Sequence, residues 1–271
     1  MKFEKYHGLG NDFIIFNIED LQGQDLGELA KKVCHRNFGV GADGMIVYEK
    51  NSRGIVMNFY NADGTTAPMC GNGIRCFTHY MKNNELFEGD TVDIQTGAGE
   101  LKVTIGNQEE FMVRVNMGRP VFDGKSIPIN QDADKYIEEV ISVDDEKVRV
   151  SSLFMGTTHT VVFVEDLNKV DIAKLGQKIE KHQLFPVGTN VNFCEVISEE
   201  EIHVTTWERG AGMTLACGTG ACAAAVVGNL LGKTRDKVKI VVPGGDLYID
   251  VAEDVFMTGP SVKIAEGNYL V

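Results

Sequence analysis

Two segments of the chain, each centred on a cysteine, carry the same pattern 147 residues apart (217 minus 70). They are 69–73, with the sequence MCGNG, and 216–220, with the sequence ACGTG. Further features recur in the same order at an offset of 146 or 147 residues: a turn entering an apolar strand (10–16 and 156–163), an aspartate placed to cap a helix (Asp25 and Asp171), and a glycine turn (Gly97 and Gly244). This period is too long for a solenoid repeat, so the duplication predicts two structurally similar domains.

Each half of the chain predicts the same order of elements. Strands come first, then a helix that begins at the cysteine, then further strands with alternating apolar residues, as in 111–117 and 238–242. This order favours an α+β fold of two pseudo-symmetric domains, each a curled, mostly antiparallel sheet around a central helix, over a doubly wound parallel sheet. We expect an N-terminal domain at 1–118 with Cys70 and a C-terminal domain at 119–261 with Cys217. A linker is predicted between Gly118 and about Val150, where prolines and acidic residues interrupt the pattern.

Composition excludes several classes of protein. The 271 residues carry a net charge of −13 with no basic stripe, which argues against a nucleic-acid partner. No apolar run approaches the roughly 18 residues of a membrane helix, and the first residues lack the apolar core of a signal peptide. We therefore expect a cytoplasmic protein with reduced thiols. Four of the six cysteines are predicted to be buried core residues: Cys34, Cys76, Cys194 and Cys222.

The remaining cysteines, Cys70 and Cys217, lie where a helix N-terminus favours the thiolate. Inverting a carbon next to a carboxylate needs a base on one face and an acid on the other, which two opposed thiols supply. Their sulfur atoms would then lie less than roughly 7 Å apart. Backbone N–H groups of the two helix N-termini would bind the carboxylate; they belong to Gly71, Asn72, Gly218 and Thr219. This chemistry requires neither a metal nor a cofactor.

Other interpretations of these segments are weaker. Buried structural cysteines would not explain the duplicated glycine context. A zinc or iron–sulfur site built from Cys70, Cys76, Cys217 and Cys222 is disfavoured because Cys76 falls six residues into a helix. Residues 39–44 spell a dinucleotide fingerprint, but they follow a predicted helix and precede a strand, which is the wrong order. A pyrophosphate site at 218–223 would leave the preceding cysteine unexplained.

Polar residues near the predicted turns suit an amino-acid ligand. Arg209 would bind a carboxylate and Glu208 an ammonium group. The other candidates are Asn11, Asn61, His159 and Asn190.

The chain resembles the diaminopimelate epimerases over essentially its whole length. The resemblance rests on five segments: HGLGNDF (7–13), NADG (61–64), CGNG (70–73), ERGAG (208–212) and ACGTG (216–220). It implies an isomerase, independent of pyridoxal phosphate, that interconverts LL- and meso-diaminopimelate for lysine and cell-wall synthesis. It also implies a homodimer, a small amino-acid substrate, and a last strand (262–271) that returns to the N-terminal domain.

The resemblance assigns roles residue by residue. Cys70 and Cys217 would be the base and the acid, supported by His159 and Glu208. Substrate-binding residues would be Asn11, Asn61, Asn190, Glu208 and Arg209, with Gly71, Asn72, Gly218 and Thr219 on the reacting carboxylate. Two positions depart from the family pattern. Thr157-Thr158 replaces a usual Asn-Pro, and Gly44 stands where many members have glutamine.

Four alternatives share the fold or the ligand class. They are a racemase of broader specificity, for example for lysine; a proline racemase; a phenazine-type isomerase; and a non-catalytic amino-acid-binding protein. Proline racemases usually have histidine after the first Cys-Gly and lack the ERGAG segment, and the phenazine-type isomerases lack the cysteine pair. A binding protein would keep its affinity after Cys70→Ser and Cys217→Ser.

Overall fold

A computed structural model describes residues 1–106, 110–124, 127–130, 134–144 and 146–270. The chain divides into two compact units, the first comprising Met1–Asn116 with Thr258–Val271 and the second Met117–Met257. Within the described residues, no helix combines the length and apolar character needed to cross a membrane.

The first unit contains two helices set among strands. In chain order its elements are β1 (Lys2–Gly8), β2 (Asn11–Asn17), α1 (Leu26–Cys34), β3 (Gly44–Asn51), β4 (Gly54–Asn61), α2 (Gly71–Asn83), β5 (Thr91–Thr96), β6 (Gly99–Ile105) and β7 (Met112–Asn116). A short 3-10 helix, Ile18–Leu21, follows β2. Neighbouring strands pair antiparallel except β2 with β3 and β4 with β5, which are parallel.

The second unit repeats this order after an additional hairpin strand. Its elements are β8 (Tyr136–Val143), β9 (Glu146–Phe154), β10 (Thr158–Val164), α3 (Ile172–Glu180), β11 (Asn190–Ser198), β12 (Glu201–Glu208), β13 (Gly212–Met213), α4 (Gly218–Leu230), β14 (Lys237–Val242) and β15 (Gly245–Val251). Strand β16 (Val255–Pro260) begins in the second unit and ends in the first. A 3-10 helix, Leu167–Lys169, precedes α3. The parallel pairs again fall at equivalent places, β10 with β11 and β12 with β14. The predicted α+β class, with mostly antiparallel sheets and few helices, is confirmed.

Strand β17 (Val262–Asn268) completes the first unit. It pairs antiparallel with β1, from Lys2 opposite Asn268 to His7 opposite Val262. The N-terminal ammonium group of Met1 also donates a hydrogen bond to the carbonyl of Tyr269 at 3.0 Å. The two ends of the chain therefore belong to one sheet.

The two shorter helices, α1 and α3, each begin with an aspartate as the N-cap residue. The carboxylate of Asp25 accepts a hydrogen bond from the backbone N–H of Glu28, and that of Asp171 accepts one from Lys174, both at 3.1 Å. Such caps satisfy backbone donors that a helix leaves open in its first turn. Both predicted caps are confirmed, and α1 and α3 are nine residues long.

The two longer helices lie against the strands of their own units but bury different side chains. Helix α2 buries Ile74, Phe77 and Met81, each 0 % exposed, as the sequence predicts. For helix α4 the sequence predicts Val226, Leu230 and Leu231 as its large apolar residues on the buried face, but Leu230 is 51 % exposed. The buried surface of this helix is formed by small residues, Ala221–Ala225 among them, because an alanine-rich helix lets the surrounding strands approach its backbone.

The linker expected between Gly118 and about Val150 differs from the structure. Strands β8 and β9 form an antiparallel hairpin over most of this stretch, and β9 pairs onward with β10. Charged residues on the outward positions mask an alternation whose buried members are Ile141, Val143, Val148 and Val150. Positions 125–126, 131–133 and 145 of the stretch lie outside the described residues.

Gly39 provides a test of the tight turn after α1. A Cβ added there would lie 2.2 Å from the carbonyl oxygen of Lys32 and 2.6 Å from that of Val33, both fixed backbone atoms. We expect Gly39→Ala to lower the free energy of unfolding by about 3 kcal/mol, measured by urea denaturation, because the turn must shift. Gly106→Ala is the control, since its nearest neighbour would lie at 3.6 Å. Equal stability of the two variants would contradict the packing of this turn.

Candidate functional site

Cys70 is the N-cap residue of α2. Its extended backbone turns the chain into the helix, and its sulfur accepts a hydrogen bond from the backbone N–H of Gly73 at 3.4 Å. The thiol also lies 3.7 Å from Oδ1 of Asn11, to which it donates. Gly71 and Asn72 are the first two helical residues. The sulfur therefore lies beside the backbone N–H groups of a helix N-terminus, where the helix dipole stabilises negative charge.

A line of hydrogen bonds fixes the orientation of Asn11. The buried guanidinium of Arg75 donates to Oδ1 of Asn72 at 3.0 Å, and Nδ2 of Asn72 donates to Oδ1 of Asn11 at 3.1 Å. Nδ2 of Asn11 then donates to the carboxylate of Asp43 at 2.7 Å. A guanidinium only donates and a carboxylate only accepts, so the two ends of the line determine both amide orientations between them. As a result, the oxygen of Asn11 faces Cys70.

Ion pairs hold the acidic end of this line. The guanidinium of Arg36 donates to Asp43 at 2.7 Å and to Asp12 at 2.9 Å. Asp12 also pairs with Lys5 at 2.8 Å. Burial raises the pKa of Asp12, but hydrogen bonds from Arg36 and Lys5 outweigh it and bring the pKa below its usual value. Asp43 is thereby fixed at the start of β3.

Asn61, a predicted substrate-binding residue, ends β4. Its side-chain amide donates to the hydroxyl of Thr65 at 3.0 Å, and its backbone N–H donates to the carbonyl of Thr65 at 2.8 Å. Asp63 caps the same turn by accepting from the N–H of Thr65 at 2.9 Å. The side chain of Asn61 is thus held within its own turn, which leads toward the segment before Cys70.

Cys217 is the N-cap residue of α4, at the position equivalent to Cys70. It is 7 % exposed, and its sulfur lies 3.6 Å from the hydroxyl of Thr219. A hydrogen bond also joins Cys217 to the carboxylate of Glu208. Unlike Cys70, its side chain makes no capping hydrogen bond to the helix. The same placement on two 13-residue helices thus comes with different neighbours.

Glu208 ends β12 beside Cys217. Burial raises the pKa of this carboxyl, against the opposing effect of hydrogen bonds from Thr214 and Cys217. The hydroxyl of Thr214 donates to its Oε1 at 2.6 Å, which fixes the carboxylate. The prediction from sequence placed Glu208 near Cys217, and the second unit brings the two together.

His159 is completely buried on β10. Its Nδ1 is 3.2 Å from Nδ2 of Asn192, and no hydrogen-bond partner for its Nε2 is found in the part of the chain that the structure describes. Burial lowers the pKa of His159 to about 3, so the ring is neutral at neutral pH. Asn192 also underlies α4, because a Cβ on Gly220 would lie 2.3 Å from its Oδ1. His159 therefore sits close to the first turn of α4.

Asn190 and Arg209 are in direct contact. The backbone N–H of Arg209 donates to Oδ1 of Asn190 at 2.9 Å, and Nδ2 of Asn190 donates to the carbonyl of Thr158 at 3.2 Å. The guanidinium of Arg209 donates to the carbonyl of Val187 at 3.0 Å. Asn190 was predicted to bind substrate; here its side chain also ties β10 and the turn of Arg209 to β11.

The two departures from the family pattern have structural counterparts. A Cβ on Gly44 would lie 2.6 Å from the ring of Phe59 and 3.0 Å from the carbonyl oxygen of Tyr60, so no larger side chain fits without a shift. Thr157, which stands where the family pattern has asparagine, lies in the bend between β9 and β10. Neither Gly44 nor Thr157 offers the amide side chain that the family pattern has there.

Several contacting residues were not predicted. In the first unit these are Asp43, which binds Asn11, Arg36, which binds Asp43, and Arg75, which binds Asn72. In the second unit they are Asn192, which contacts His159, and Thr214, which binds Glu208. Two signals were available in the sequence. Asn192 falls two residues after Asn190 on the same face of a strand, and Arg75 lies four residues after Gly71 on a helix.

The other cysteines match their predicted role as core residues. Cys34, Cys76, Cys194 and Cys222 are all buried. Burial raises the pKa of Cys34 and of Cys76 to about 12. These thiols therefore stay protonated, unlike the reactive thiols expected at an acid–base site.

The chain is similar to known proteins over its whole length. The family model described as diaminopimelate epimerase matches residues 3–122 and 151–264. A diaminopimelate epimerase of Alkaliphilus metalliredigens is 44 % identical over 100 % of this chain and 98 % of its own, and one of Clostridium perfringens is 46 % identical over 100 % of both. A solved PhzF-family phenazine biosynthesis protein of Bacillus anthracis has the same fold, with a TM-score of 0.72 at 15 % identity over 100 % of this chain and 99 % of that one.

The neutral, buried state of His159 predicts a pH dependence of stability. Below pH 6.5 the unfolded chain binds a proton at this ring that the folded chain, with a pKa of about 3, does not. Stability is therefore lost as the pH falls, by about 1.4 kcal/mol per pH unit. We expect urea unfolding between about pH 4 and pH 6 to show a shallower slope in His159→Gln, by about one proton. His35→Gln, at an exposed histidine, should keep the wild-type slope; an unchanged slope in His159→Gln would contradict the burial of this ring.

Proposed function

Because the chain belongs to the diaminopimelate epimerase family, we propose that it interconverts LL- and meso-diaminopimelate with two thiols and without a metal or an organic cofactor. The observation that carries this proposal is the equivalent placement of Cys70 and Cys217 as N-cap residues of two helices of equal length. A duplicated fold alone does not require a cysteine at either position, whereas inversion of a carbon centre requires two proton-transfer groups.

In this mechanism one thiolate removes the proton from the α-carbon, and the opposite thiol delivers a proton to the other face. The electron pair left on the carbon delocalises into the neighbouring carboxylate, which gains negative charge. Backbone N–H groups in the first turns of α2 and α4 are the groups that would stabilise this charge; they belong to Gly71, Asn72, Gly218 and Thr219.

The two cysteines have different hydrogen-bond neighbours. Cys70 has a donor, the N–H of Gly73, which favours a thiolate, and an acceptor, Oδ1 of Asn11, which favours a thiol. The carboxylate of Glu208 accepts from Cys217, which favours a thiol. One thiolate and one thiol are the starting state that a single inversion needs. We therefore assign Glu208 a supporting role in proton transfer at Cys217.

His159 is assigned a supporting role on a separate observation. A buried ring nitrogen without a hydrogen-bond partner costs about 1–3 kcal/mol, so Nε2 is a group that a bound substrate would satisfy. The neutral ring can donate or accept there without adding charge beside the reacting carboxylate. Asn11, Asn61, Asn190 and Arg209 complete the proposed substrate contacts, with the guanidinium of Arg209 on a carboxylate.

A racemase of broader specificity that also accepts lysine is the second candidate. It is favoured by Gly44 and Thr157, where the family pattern would place amide side chains and this chain has none. Following α-proton exchange by NMR in heavy water with LL-diaminopimelate, meso-diaminopimelate and lysine in parallel separates the two candidates. Exchange of lysine at a comparable rate would favour the broader enzyme, and exchange of neither would refute both.

We further propose a homodimer in the cytoplasm. Both follow from the family resemblance, and a mechanism that depends on two reduced thiols needs a reducing compartment. Sedimentation at micromolar concentration tests the oligomeric state.

Replacing either catalytic cysteine tests the mechanism. We expect Cys70→Ser and Cys217→Ser each to reduce epimerisation by about 10²- to 10⁴-fold, since each removes one of two proton-transfer groups. Exchange of the α-proton with solvent from one isomer can persist, because one thiol still works on one face. The control is Cys34→Ala, which removes a buried thiol at the end of α1 and should leave the rate unchanged. Full inversion by either serine variant would refute the two-thiol mechanism.

Oxidation tests whether the two thiols act at one carbon. Two sulfur atoms close enough to act on one carbon can form a disulfide under a mild oxidant. Activity should therefore be lost on oxidation and restored by a reductant. Mass spectrometry of the digested protein should find the peptides of Cys70 and Cys217 joined. Oxidised protein that keeps full activity, or that joins other cysteines instead, would count against the proposed pairing.

A further inference from the structure

Glu180, the last residue of α3, makes two hydrogen bonds that the mechanism has not used. Its Oε2 accepts from the indole Nε1–H of Trp207 at 2.7 Å, and its Oε1 accepts from the backbone N–H of Gly210 at 3.1 Å. These two donors stand on either side of Glu208 and Arg209. One carboxylate therefore ties both ends of the turn that carries two proposed functional residues.

Trp207 is held by α3 at a second point. A Cβ added to Gly176 would lie 2.6 Å from the Cβ of Trp207, so glycine lets this side chain lie directly on the helix. Gly176 and Glu180 are four residues apart and lie on the same face of α3. That face of the helix and the turn 207–210 thus form one packed unit.

The first unit shows that the fold does not require this arrangement. At an offset of 146 or 147 residues, Gly176, Glu180 and Trp207 correspond to Ala30, Cys34 and Tyr60. Those three residues pack together as part of an apolar cluster under α1. The same helix and strand therefore associate without a carboxylate in one unit and with one in the other.

A carboxylate is also electrostatically unfavourable where Glu180 lies. The C-terminus of a helix carries partial negative charge, so a negative side chain there is destabilising unless another contact compensates. Trp207 and Gly210 supply that compensation through their two donors. The contact is thus tied to the turn, which differs from its counterpart in the first unit at all four positions and has Arg209 where that unit has Ala62.

Arg209 depends on this support more than Glu208 does. Glu208 is fixed independently by the hydroxyl of Thr214 at 2.6 Å. The side chain of Arg209 runs along the backbone of Gly188, where an added Cβ would lie 3.0 Å from its Cδ, and reaches the carbonyl of Val187. A shift of the turn therefore moves the guanidinium along this path while leaving the carboxylate of Glu208 in place.

We propose that Glu180 is a positioning residue that fixes the turn 207–210 and thereby presents Arg209 to a carboxylate of the substrate. This inference rests on the proposed function. It places Glu180 outside the reacting atoms: the residue affects substrate affinity through Arg209 and takes no part in proton transfer.

The test is Glu180→Gln, which offers one acceptor oxygen to two donors. We expect KM for meso-diaminopimelate to rise about tenfold and kcat to change less than twofold, because lost uniform binding raises KM alone. The matched control is Glu195→Gln, at a carboxylate that accepts a backbone N–H from Leu167 at 3.0 Å elsewhere in the unit. It should keep the wild-type KM. An unchanged KM in Glu180→Gln, or a loss confined to kcat, would overturn the proposal.

The chain has a single tryptophan, so its spectrum contains one indole N–H signal. In an NMR spectrum of ¹⁵N-labelled protein, this signal should move when Glu180→Gln replaces the charged acceptor of Trp207. A signal that stays in place would show that the contact does not exist in solution and would overturn the proposal. If wild-type protein turned over no diaminopimelate, the proposed function would fail. The response of the signal to added meso-diaminopimelate, compared between wild type and Glu180→Gln, would then still decide the role of Glu180.

A second variant guards against a folding defect. The double substitution Glu180→Cys with Trp207→Tyr installs the residues of the first unit, which already pack there. We expect near-wild-type thermal unfolding, followed by circular dichroism under reductant, together with a raised KM. A wild-type KM in this folded variant would overturn the proposal, since the turn would then need no carboxylate.

Discussion

The backbone N–H groups at the start of α2 and α4 are the constraint around which each unit is organised. A helix does not satisfy these donors through its own backbone, so they must find a side chain, water or a ligand. Here the residue at each start is a cysteine rather than the serine, threonine, aspartate or asparagine that caps helices best. In α2 the sulfur still accepts one N–H, from Gly73, whereas in α4 it does not cap. The helices therefore begin with N–H groups that remain suited to an anionic ligand.

Internal duplication allows each unit to serve as a reference for the other. Structural positions keep their chemistry across the offset: Asp25 and Asp171 cap equivalent helices, and both units have their parallel strand pairs at the same places. Positions near the two cysteines do not keep their chemistry across the offset. Asp12, tied up in ion pairs, corresponds to the neutral and buried His159. Divergence is thus concentrated where chemistry, rather than folding, sets the requirement.

Much of the fold was predictable because it depends on local patterns. Caps, glycine turns and the apolar stripe of α2 are encoded by residues close together in the chain, and the aspartate caps recur at equivalent positions of the two units. The hairpin of β8 and β9 was missed because charges on its outward face diluted the alternation. The exposure of Leu230 was missed because a helix lined with alanine on every side has no stripe to predict which face is buried.

Only part of the candidate site could be predicted from the sequence. Residues that carry motifs, such as Cys70, Cys217, Glu208 and Arg209, are visible in the sequence. Residues that orient them are not, because their role depends on contacts between segments far apart in the chain. Asp43 reaches Asn11 across 32 residues, and Glu180 reaches Trp207 across 27. No periodicity links such positions, so only the folded structure identifies them.

The different neighbours of the two thiols follow from this second group of residues. In the first unit, charges at both ends of the line from Arg75 to Asp43 leave the oxygen of Asn11 facing Cys70. In the second, Thr214 holds the carboxylate of Glu208 beside Cys217. Both sulfurs thus have an acceptor for their proton: an amide oxygen beside Cys70, and beside Cys217 a carboxylate, which can itself be charged. The two helices are equivalent in backbone, but the side chains around their cysteines differ between the units. The two thiols therefore have different hydrogen-bond acceptors.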